Sequence, residues 1–450
     1  MRAYAAAVAD PRVYAAPGSA ARAYAAGIAW LWRLGGPVGE RLPRAVGFGA
    51  AEEAENLAAD VGAGRLAGAV VLAGGAQTGG RLRFEGGLNL HGPALRLEGG
   101  GRPLVRSSAG MHAAERDGVL FLATTPERWG SLDEAWALPV LAGHLTRRLA
   151  RPLVALPAVG CLRIDDLPGT AELQLRGRAR DDRAMERHVR RIVASVERAG
   201  ARLLVAVAAR ALHDGEPVPT DGVWPAAVAA LADGVRRRVL EPAGHGLLHL
   251  NDAARARGEL DPREFLDLGE EEAGRRIDAA MEWIRDRLGP SRTFVPPAWG
   301  CSDGTLSAAA ARGLTIWRPP ASGPLIRPGG DVRETLRIGI GALDGLDYSP
   351  LRHVAEYGLP PTVVFHGRLL DDRLASLRER RAVVAAARLA RRRDLERIPR
   401  LRGVTWIGAH ELVERLRAHD AIEVRGDEVT GPPGTEAVLI DEAGRRPSTL

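Results

Sequence analysis

The pattern of apolar and polar positions divides the 450-residue chain into two parts of different texture. From about residue 157 onward, short apolar runs alternate with longer segments whose apolar residues recur every three or four positions. The runs have the length of buried strands, and the periodic segments are typical of amphipathic helices. Repeated strand–helix units of this kind predict parallel strands with helices outside them, either in a barrel or in an open doubly wound sheet.

The predicted elements of this second part follow one another closely. Apolar runs predict strands in the stretches GCLRIDD, RLLVAVAA, EPAGHGLLHLN, TFVPPAW, LTIWRP, TVVFHG and GVTWIG. Helical periodicity predicts helices in RAMERHVRRIVASVERAG, PAAVAALADGVRRRVL, EEEAGRRIDAAMEWIRDRLG, GTLSAAAARG, residues 373–398 and AHELVERLRAH.

The first 155 residues are less regular. The stretches AGAVVLAGG and GVLFLATTPERWG predict buried strands, RLRFEGGLNLHG shows strand-like alternation, and LDEAWALPVLAGHLTRRLA predicts an amphipathic helix. We interpret residues 1–155 as an accessory α/β domain with a flavodoxin-like or amidotransferase-like layout, although no cysteine stands where an amidotransferase needs its nucleophile. The division predicted is therefore 1–155, a main domain at 156–418, and a tail at 419–450 with one hairpin in AIEVRGDEV.

Composition removes several classes of function. All 62 basic residues are arginine, so a Schiff-base lysine and a P-loop lysine are excluded within this chain. Two cysteines exclude a disulfide framework. Despite the net charge of +6, no basic stretch is interleaved with aromatic residues, so we expect no nucleic-acid partner. No signal peptide is evident and AGIAWLWRLGG is too short to span a bilayer, which leads us to expect a cytoplasmic protein without a membrane span.

Reactive residue types follow the predicted strands of the main domain. In both parallel architectures, functional groups gather at the carboxyl ends of the strands. These ends carry Asp165 and Asp166, then His245 with His249 four positions later, and finally His366. Two adjacent carboxylates repel each other unless a proton or a cation lies near them.

The stretch HGLLH is the sharpest of these signals. If it begins a helical turn, His245 and His249 lie on one face and both imidazoles reach one metal ion. A carboxylate from Asp165 or Asp166 then completes a three-ligand set and leaves a position for water. Taken singly, the histidines also fit a surface or capping role, and the aspartates fit a turn.

Four motifs together carry a family resemblance. LRIDDLPGT, HGLLHLN, FVPPAWG and VVFHG occur in the order found in the polysaccharide deacetylase family, the NodB-homology enzymes of carbohydrate esterase family 4. The resemblance covers residues 157–418 and implies a distorted (β/α) barrel. It implies a hydrolase that removes an acetyl group from an N-acetylated sugar or a related small amide, with water activated by Zn²⁺ or another divalent transition metal.

Carried over residue by residue, the resemblance assigns a role to each motif. The implied roles are general base for Asp165, general acid for His366, metal ligands for Asp166, His245 and His249, and substrate contacts for Pro297 and Trp299. The arginine that orients the catalytic aspartate in the family is absent from the third motif, where Val295 stands and Arg292 precedes it by three positions. Arg163, beside the acidic pair, is the substitute we consider, and we also place it among the substrate-binding residues.

Two other functions compete with this one. GCSDG at residues 300–304 matches the G-x-S-x-G pattern of a nucleophile elbow between a strand and a helix, with Ser302 as a serine-hydrolase nucleophile. Against it, Pro296 to Trp299 separate the serine from its strand, and Asp303-Gly304 also fits a helix cap. The third function is non-enzymatic, a catalytically degenerate barrel that binds carbohydrate.

Overall fold

The computed structural model of the chain describes most of the main domain and parts of the first 155 residues. The described residues are 32–33, 45–48, 70–73, 80–83, 89–92, 102–107, 110–116, 119–122, 137–149, 152–170, 181–259, 261–317, 332–333, 336–339, 349–366, 395–425 and 428–450. Of the helix predicted at 373–398, the part up to residue 394 lies outside this set.

The main domain is built on one parallel sheet of nine described strands. Eight of them follow one another in hydrogen-bonded order, and the ninth pairs with the first half of the central strand, β10 (Val159–Asp165). The strands, in sheet order, are β17 (Val332–Arg333), β16 (Thr315–Trp317), β15 (Thr293–Phe294), β14 (Leu240–Gly244), β11 (Leu203–Val207), β10, β19 (Pro361–His366) and β18 (Leu336–Gly339), with β20 (Thr405–Ile407) beside β10. The predicted α/β class and parallel strand pairing are confirmed, and the sheet is curled into a half-barrel.

Helices connect the strands as the periodicity predicts. In the helix Asp182–Arg198, the residues Met185, Val189 and Val196 recur on one buried face. Asp181 caps this helix, because its carboxylate accepts a hydrogen bond of 3.0 Å from the Ala184 amide. The helices of the structure are α1 (Ala137–Leu149), α2 (Asp182–Arg198), α3 (Thr220–Val223), α4 (Pro225–Arg236), α5 (Asp252–Ala256), α6 (Glu270–Arg287), α7 (Asp303–Ala311), α8 (Ser349–Glu356) and α9 (Ala409–Asp420), with 3₁₀ turns at Pro297–Trp299 and Ile398–Arg400.

The central strands are buried on both faces, as expected for a sheet covered by helices. Every residue of β10 and β11 is buried, including the two charged residues of β10. The core therefore runs through the sheet, and the carboxyl ends of its strands emerge at one edge. No helix within the described ranges combines the length and apolar character needed to span a bilayer.

The remaining strands form smaller sheets. In the first part of the chain, a five-stranded sheet has the order β2-β3-β8-β7-β6, with parallel pairing among β2, β3 and β8. These strands are β2 (Ala45–Phe48), β3 (Val70–Ala73), β6 (Arg102–Ser107), β7 (Gly110–Arg116) and β8 (Val119–Leu122), and two hairpins are formed by β4 (Gly80–Arg83) with β5 (Asn89–Gly92) and by β12 (Arg210–His213) with β13 (Glu216–Pro219).

The last 30 residues contain more structure than the single hairpin we predicted. That hairpin is formed by β21 (Glu423–Arg425) and β22 (Glu428–Thr430). A second hairpin, β23 (Glu436–Asp441) with β24 (Gly444–Thr449), joins β9 (Leu153–Ala155), which also pairs with β1 (Trp32–Arg33). The segment after residue 418 therefore pairs with strands from before residue 156, and the three-part division of the chain stays a prediction.

A close contact between α4 and its neighbours yields a test of the core. A Cβ added at Gly234 would lie 2.7 Å from Leu240 Cδ1 and 2.9 Å from Val193 Cγ2, whereas one added at Gly274 in α6 meets the guanidinium at the far end of the Arg312 side chain, which pairs with the exposed Asp278. Overpacking costs about 1–3 kcal/mol and exceeds the gain of up to about 1 kcal/mol in helix propensity. We expect Gly234→Ala to lower the free energy of unfolding by about 1–2 kcal/mol in urea titration.

Gly274→Ala is the matched control, since it makes the same change within another helix of the main domain. We expect it to stay within about 1 kcal/mol of the parent. Equal effects of the two substitutions would contradict the packing described between α4, α2 and β14.

Candidate functional site

The sheet places the predicted reactive residues along one edge. Asp165 is the last residue of β10, and it pairs in register with Ala206 on one side and His366 on the other. β14, which lies beyond β11 in the sheet, ends at Gly244, directly before His245. The acidic pair, the HGLLH stretch and the VVFHG stretch thus follow strands whose carboxyl ends share this edge.

Arg163 and Asp165 form a bidentate ion pair in the protein interior. Alternation along β10 puts them on the same face, and Arg163 Nε and Nη2 each donate to one carboxylate oxygen at 2.6 Å. Only 3% and 2% of the two side chains are exposed. Arg163 Nη1 also donates to the Trp317 carbonyl at 3.4 Å. The guanidinium holds Asp165 in one orientation, the task for which we considered Arg163, and the side chain of Arg292 is exposed to solvent instead.

Asp166 turns the chain away from the strand. Its φ is +62°, in the left-handed region that aspartate tolerates better than most residues, and its side chain is buried. The adjacent carboxylates therefore leave the strand differently, since only Asp165 keeps the extended conformation of β10. The cation that the structure shows at the acidic pair is the guanidinium of Arg163.

The HGLLH stretch is a loop, so the helical turn on which the spacing argument depended is not formed. Gly246 has φ +86° and His249 has φ +60°, so the backbone bends twice through the left-handed region. The two imidazoles are nevertheless neighbours, with ring centroids 4.8 Å apart and planes at 72°. Both residues are buried. The loop thus achieves the proximity that we had expected from helical spacing.

The tautomer of His245 follows from its hydrogen bond. Its Nδ1 lies 2.7 Å from the carbonyl oxygen of Val295, and a carbonyl only accepts, so Nδ1 carries the hydrogen. Burial lowers the pKa of His245, although the charge of Asp165 and the bond to Val295 oppose this effect. The ring is therefore neutral near pH 7 with the lone pair on Nε2, the form that binds metal ions and accepts protons.

A buried carboxylate contacts the loop of residues 245–249, which we call the histidine loop. Glu264 is 0% exposed and accepts hydrogen bonds from three consecutive backbone amides, those of Leu247 (3.3 Å), Leu248 (3.1 Å) and His249 (2.8 Å). Arg276 Nη1 lies 3.4 Å from Oε1, the oxygen that also accepts from the Leu247 amide. Burial raises the pKa of Glu264 to about 7, against the lowering effects of these amides and of Arg276.

The fit of this site to a metal ion is incomplete. Two neighbouring buried imidazoles are suited to one divalent ion, and the Nδ1 hydrogen bond of His245 is the usual support of a ligating histidine. Among the residues that the structure describes, however, no group of three His, Cys, Asp or Glu side chains could hold a metal ion. The assignment of Asp166 as the third ligand therefore stays a prediction.

The substrate-contact residues are placed in part. Pro297 is buried and begins the 3₁₀ turn Pro297–Trp299, and a Cβ on Gly246 would meet Pro297 Cγ at 2.6 Å, so this turn packs on the histidine loop. For Trp299 and His366 the structure describes the backbone alone. Their predicted roles, and that of Arg163 in binding substrate, stay predictions.

Ser302 serves as a helix cap. Its Oγ accepts from the Thr305 amide at 3.1 Å and donates to the Leu268 carbonyl at 2.5 Å, at the start of α7. A nucleophilic serine needs its hydroxyl directed to a base, and here the hydroxyl hydrogen is directed to a backbone carbonyl. This geometry disfavours the nucleophile-elbow interpretation of GCSDG.

Sequence reasoning missed two groups that shape the site. The Val295 carbonyl acts through the backbone, so no residue type at that position could reveal it. Glu264 lies in DPREFLD, where its only signal is an acid directly before the apolar pair Phe265-Leu266. Such a signal is common in surface loops, and it becomes specific only when the fold buries it.

Comparison with known proteins gives only distant structural similarities. No family model and no curated protein matches the sequence. A family 4 carbohydrate esterase from Streptomyces lividans in complex with acetate matches at 14% identity with a TM-score of 0.29, over 56% of this chain and 93% of that one. A CE4 family pseudoenzyme from Bacillus anthracis matches at 10% identity with a TM-score of 0.33, over 57% of this chain and 66% of its own length.

The matched structures include other activities as well. A 4-alpha-glucanotransferase from Thermococcus litoralis matches at 10% identity with a TM-score of 0.35, over 58% of this chain and 40% of that chain. Several of the matched structures thus come from the family that the four motifs resemble, and they include both enzymes and a pseudoenzyme. At this distance the function has to be argued from the residues of the site.

The buried ion pair gives the first test of the site. Arg163→Met removes the guanidinium and leaves the Asp165 carboxylate in the interior, a change that costs about 3–5 kcal/mol for buried pairs. We expect that loss in urea unfolding, and we expect Arg163→Met combined with Asp165→Leu to recover most of it. A loss below about 1 kcal/mol for the single variant would show that the carboxylate does not depend on Arg163.

The cap gives the second test. Ser302→Ala removes the side-chain oxygen that accepts from Thr305, so we expect a loss of about 1 kcal/mol in the free energy of unfolding. Any amide hydrolysis by the protein should keep its kcat. Abolished turnover in a variant that remains folded would instead favour the serine-hydrolase interpretation.

Proposed function

We propose that this chain is a metal-dependent deacetylase that hydrolyses the acetamide of an N-acetylated carbohydrate or a related small molecule. The observation that carries the proposal is the pair of buried imidazoles, 4.8 Å apart, at the edge where Asp165 ends the central strand. The negative charge of Asp165 opposes the lowering of the His245 pKa by burial. The substrate class rests on the resemblance of the four motifs to polysaccharide deacetylases.

The metal would be held by His245, His249 and Asp166. A bound divalent ion such as Zn²⁺ supplies Lewis acidity, which lowers the pKa of a coordinated water toward about 7 and polarises an amide carbonyl. The support for this ligand set is the neutral state of His245. Its Nδ1–H is bonded to the Val295 carbonyl, which leaves the lone pair of Nε2 available to a metal ion. Neutral imidazoles bind cations without first losing a proton.

Asp165 acts as the general base in this proposal. Its carboxylate takes a proton from the attacking water, and the bidentate contact with Arg163 keeps both oxygens in place during the reaction. Because Arg163 already holds the buried Asp165 carboxylate in place, the base needs no reorganisation of solvent before it takes the proton. His366, whose backbone pairs in register with Asp165, gives a proton to the departing amine nitrogen.

One observation favours a second candidate, a carbohydrate-binding barrel without catalysis. Among the described side chains, the third metal ligand is not in place beside the two histidines. A degenerate member of such a family would keep the parallel sheet and the Arg163–Asp165 pair for stability while losing turnover. The two candidates differ in metal content and in acetate release.

Acetate release from N-acetylglucosamine oligomers tests the proposal. The purified protein is stripped with a chelator, resupplied with Zn²⁺ or Co²⁺, and assayed for metal content and for acetate. We expect one metal per chain and activity that depends on its return. Asp165→Asn should lower kcat by about 10²–10⁴-fold while metal binding persists, and His249→Ala should abolish metal binding.

His410→Ala is the matched control for the histidine variant, because this histidine is exposed on α9. It should change neither metal content nor acetate release. Oligosaccharide binding without stoichiometric metal and without acetate release would reject the deacetylase and support the binding protein.

A further inference from the structure

The histidine loop adopts a backbone that its sequence does not favour. Only Gly246 of its two left-handed positions is glycine, and His249 at φ +60° pays a steric cost for its Cβ. Strained residues of this kind persist only where their surroundings impose them, and they cluster at functional sites. Something outside the loop must therefore hold His249 in this conformation.

Glu264 makes the contacts that can do so. Its Oε2 accepts from the amides of Leu248 at 3.1 Å and of His249 at 2.8 Å, and its Oε1 accepts from Leu247 at 3.3 Å. A carboxylate that gathers three successive amides fixes the direction of each peptide plane, and the last of these planes is that of the strained histidine.

Glu264 is itself anchored independently of the loop. The next residue, Phe265, is buried in a core cluster with Phe294 and Ile316, and it forms a parallel bridge with Cys301. Arg276 of α6 approaches Glu264 at 3.4 Å and also bonds Glu272 at 2.7 Å. The carboxylate is therefore part of a rigid support rather than a partner that follows the loop.

Packing around Gly246 leaves no room for a side chain at this position. A Cβ on Gly246 would collide with Glu264 Oε2 and would lie 2.6 Å from Pro297 Cγ. The loop is held between the carboxylate on one side and the 3₁₀ turn on the other. Glu264 can therefore bind the loop amides only because position 246 has no side chain.

We infer that Glu264 is a positioning residue that sets the imidazole of His249 beside that of His245. The inference rests on the proposed function in one respect, because it takes the two imidazoles to bind the same metal ion. Glu264 does not contact that ligand in this role, because its oxygens are engaged by the loop amides and by Arg276. Its removal should loosen the loop and misplace one imidazole while the sheet stays intact.

Glu264→Gln is the test, because it keeps the size of the side chain and one acceptor oxygen. Amide hydrogen exchange at residues 247–249 should accelerate about tenfold or more, as expected when buried hydrogen bonds to these amides are lost or weakened. The ¹⁵N resonances of the His249 imidazole should shift in the same variant. Zn²⁺ affinity should fall about 10–100-fold, the usual effect of losing a supporting residue around a metal site.

Glu272→Gln is the matched control, since it removes another partner of Arg276 without touching the loop. It should leave loop exchange and the imidazole resonances unchanged. Gly246→Ala should also accelerate exchange at residues 247–249 and shift the His249 resonances, because the added methyl group would displace Glu264 Oε2.

Exchange and imidazole resonances separate this inference from the proposed function. If the parent protein binds no Zn²⁺ but Glu264→Gln still frees the loop and shifts His249, the deacetylase fails and the positioning role stands. If Glu264→Gln leaves both exchange at 247–249 and the His249 resonances as in the parent, the positioning role is overturned whatever the metal does.

Discussion

Charges inside an apolar sheet must be paired, and this constraint organises the site. Asp165 ends a strand that is buried along its whole length, so its carboxylate is out of bulk water. Arg163, two residues earlier on the same face, supplies the pairing with two hydrogen bonds of 2.6 Å. The same constraint applies to the buried carboxyl group of Glu264, which is met by backbone amides and Arg276. Asp165 and Glu264 are therefore held in fixed orientations by the protein itself.

The fold follows from the sequence because its signals are local and repeated. Runs such as RLLVAVAA become β11, and periodic segments such as EEEAGRRIDAAMEWIRDRLG become α6, since burial on two faces or on one stripe leaves little alternative. The elements that escaped prediction are short. The hairpin of β12 and β13 is local and turns at Asp214-Gly215, a hairpin signal that the apolar pattern alone does not show. The pairing of β23 with β9 depends on contacts between distant parts of the chain, which periodicity does not encode.

The candidate site was predictable in its residue types and less so in its geometry. The imidazoles of His245 and His249 are neighbours, but a loop in which His249 has a left-handed backbone brings them together, and not a helical turn. The orienting role of Arg163 follows from the alternation of a strand, which the sequence does show. The contributions of the Val295 carbonyl and of Glu264 arise from tertiary contacts, and nothing near His245 in the sequence points to them.

The central claim is that His245 and His249 bind one divalent cation together with an acid from the end of β10. Anomalous diffraction from crystals grown with Zn²⁺ tests it most directly, because it locates the ion and its ligands at once. The account predicts a single zinc within about 2.0–2.2 Å of one nitrogen from each histidine and of an Asp166 carboxylate oxygen. Zinc absent from this edge of the sheet, or bound without either imidazole, would contradict it.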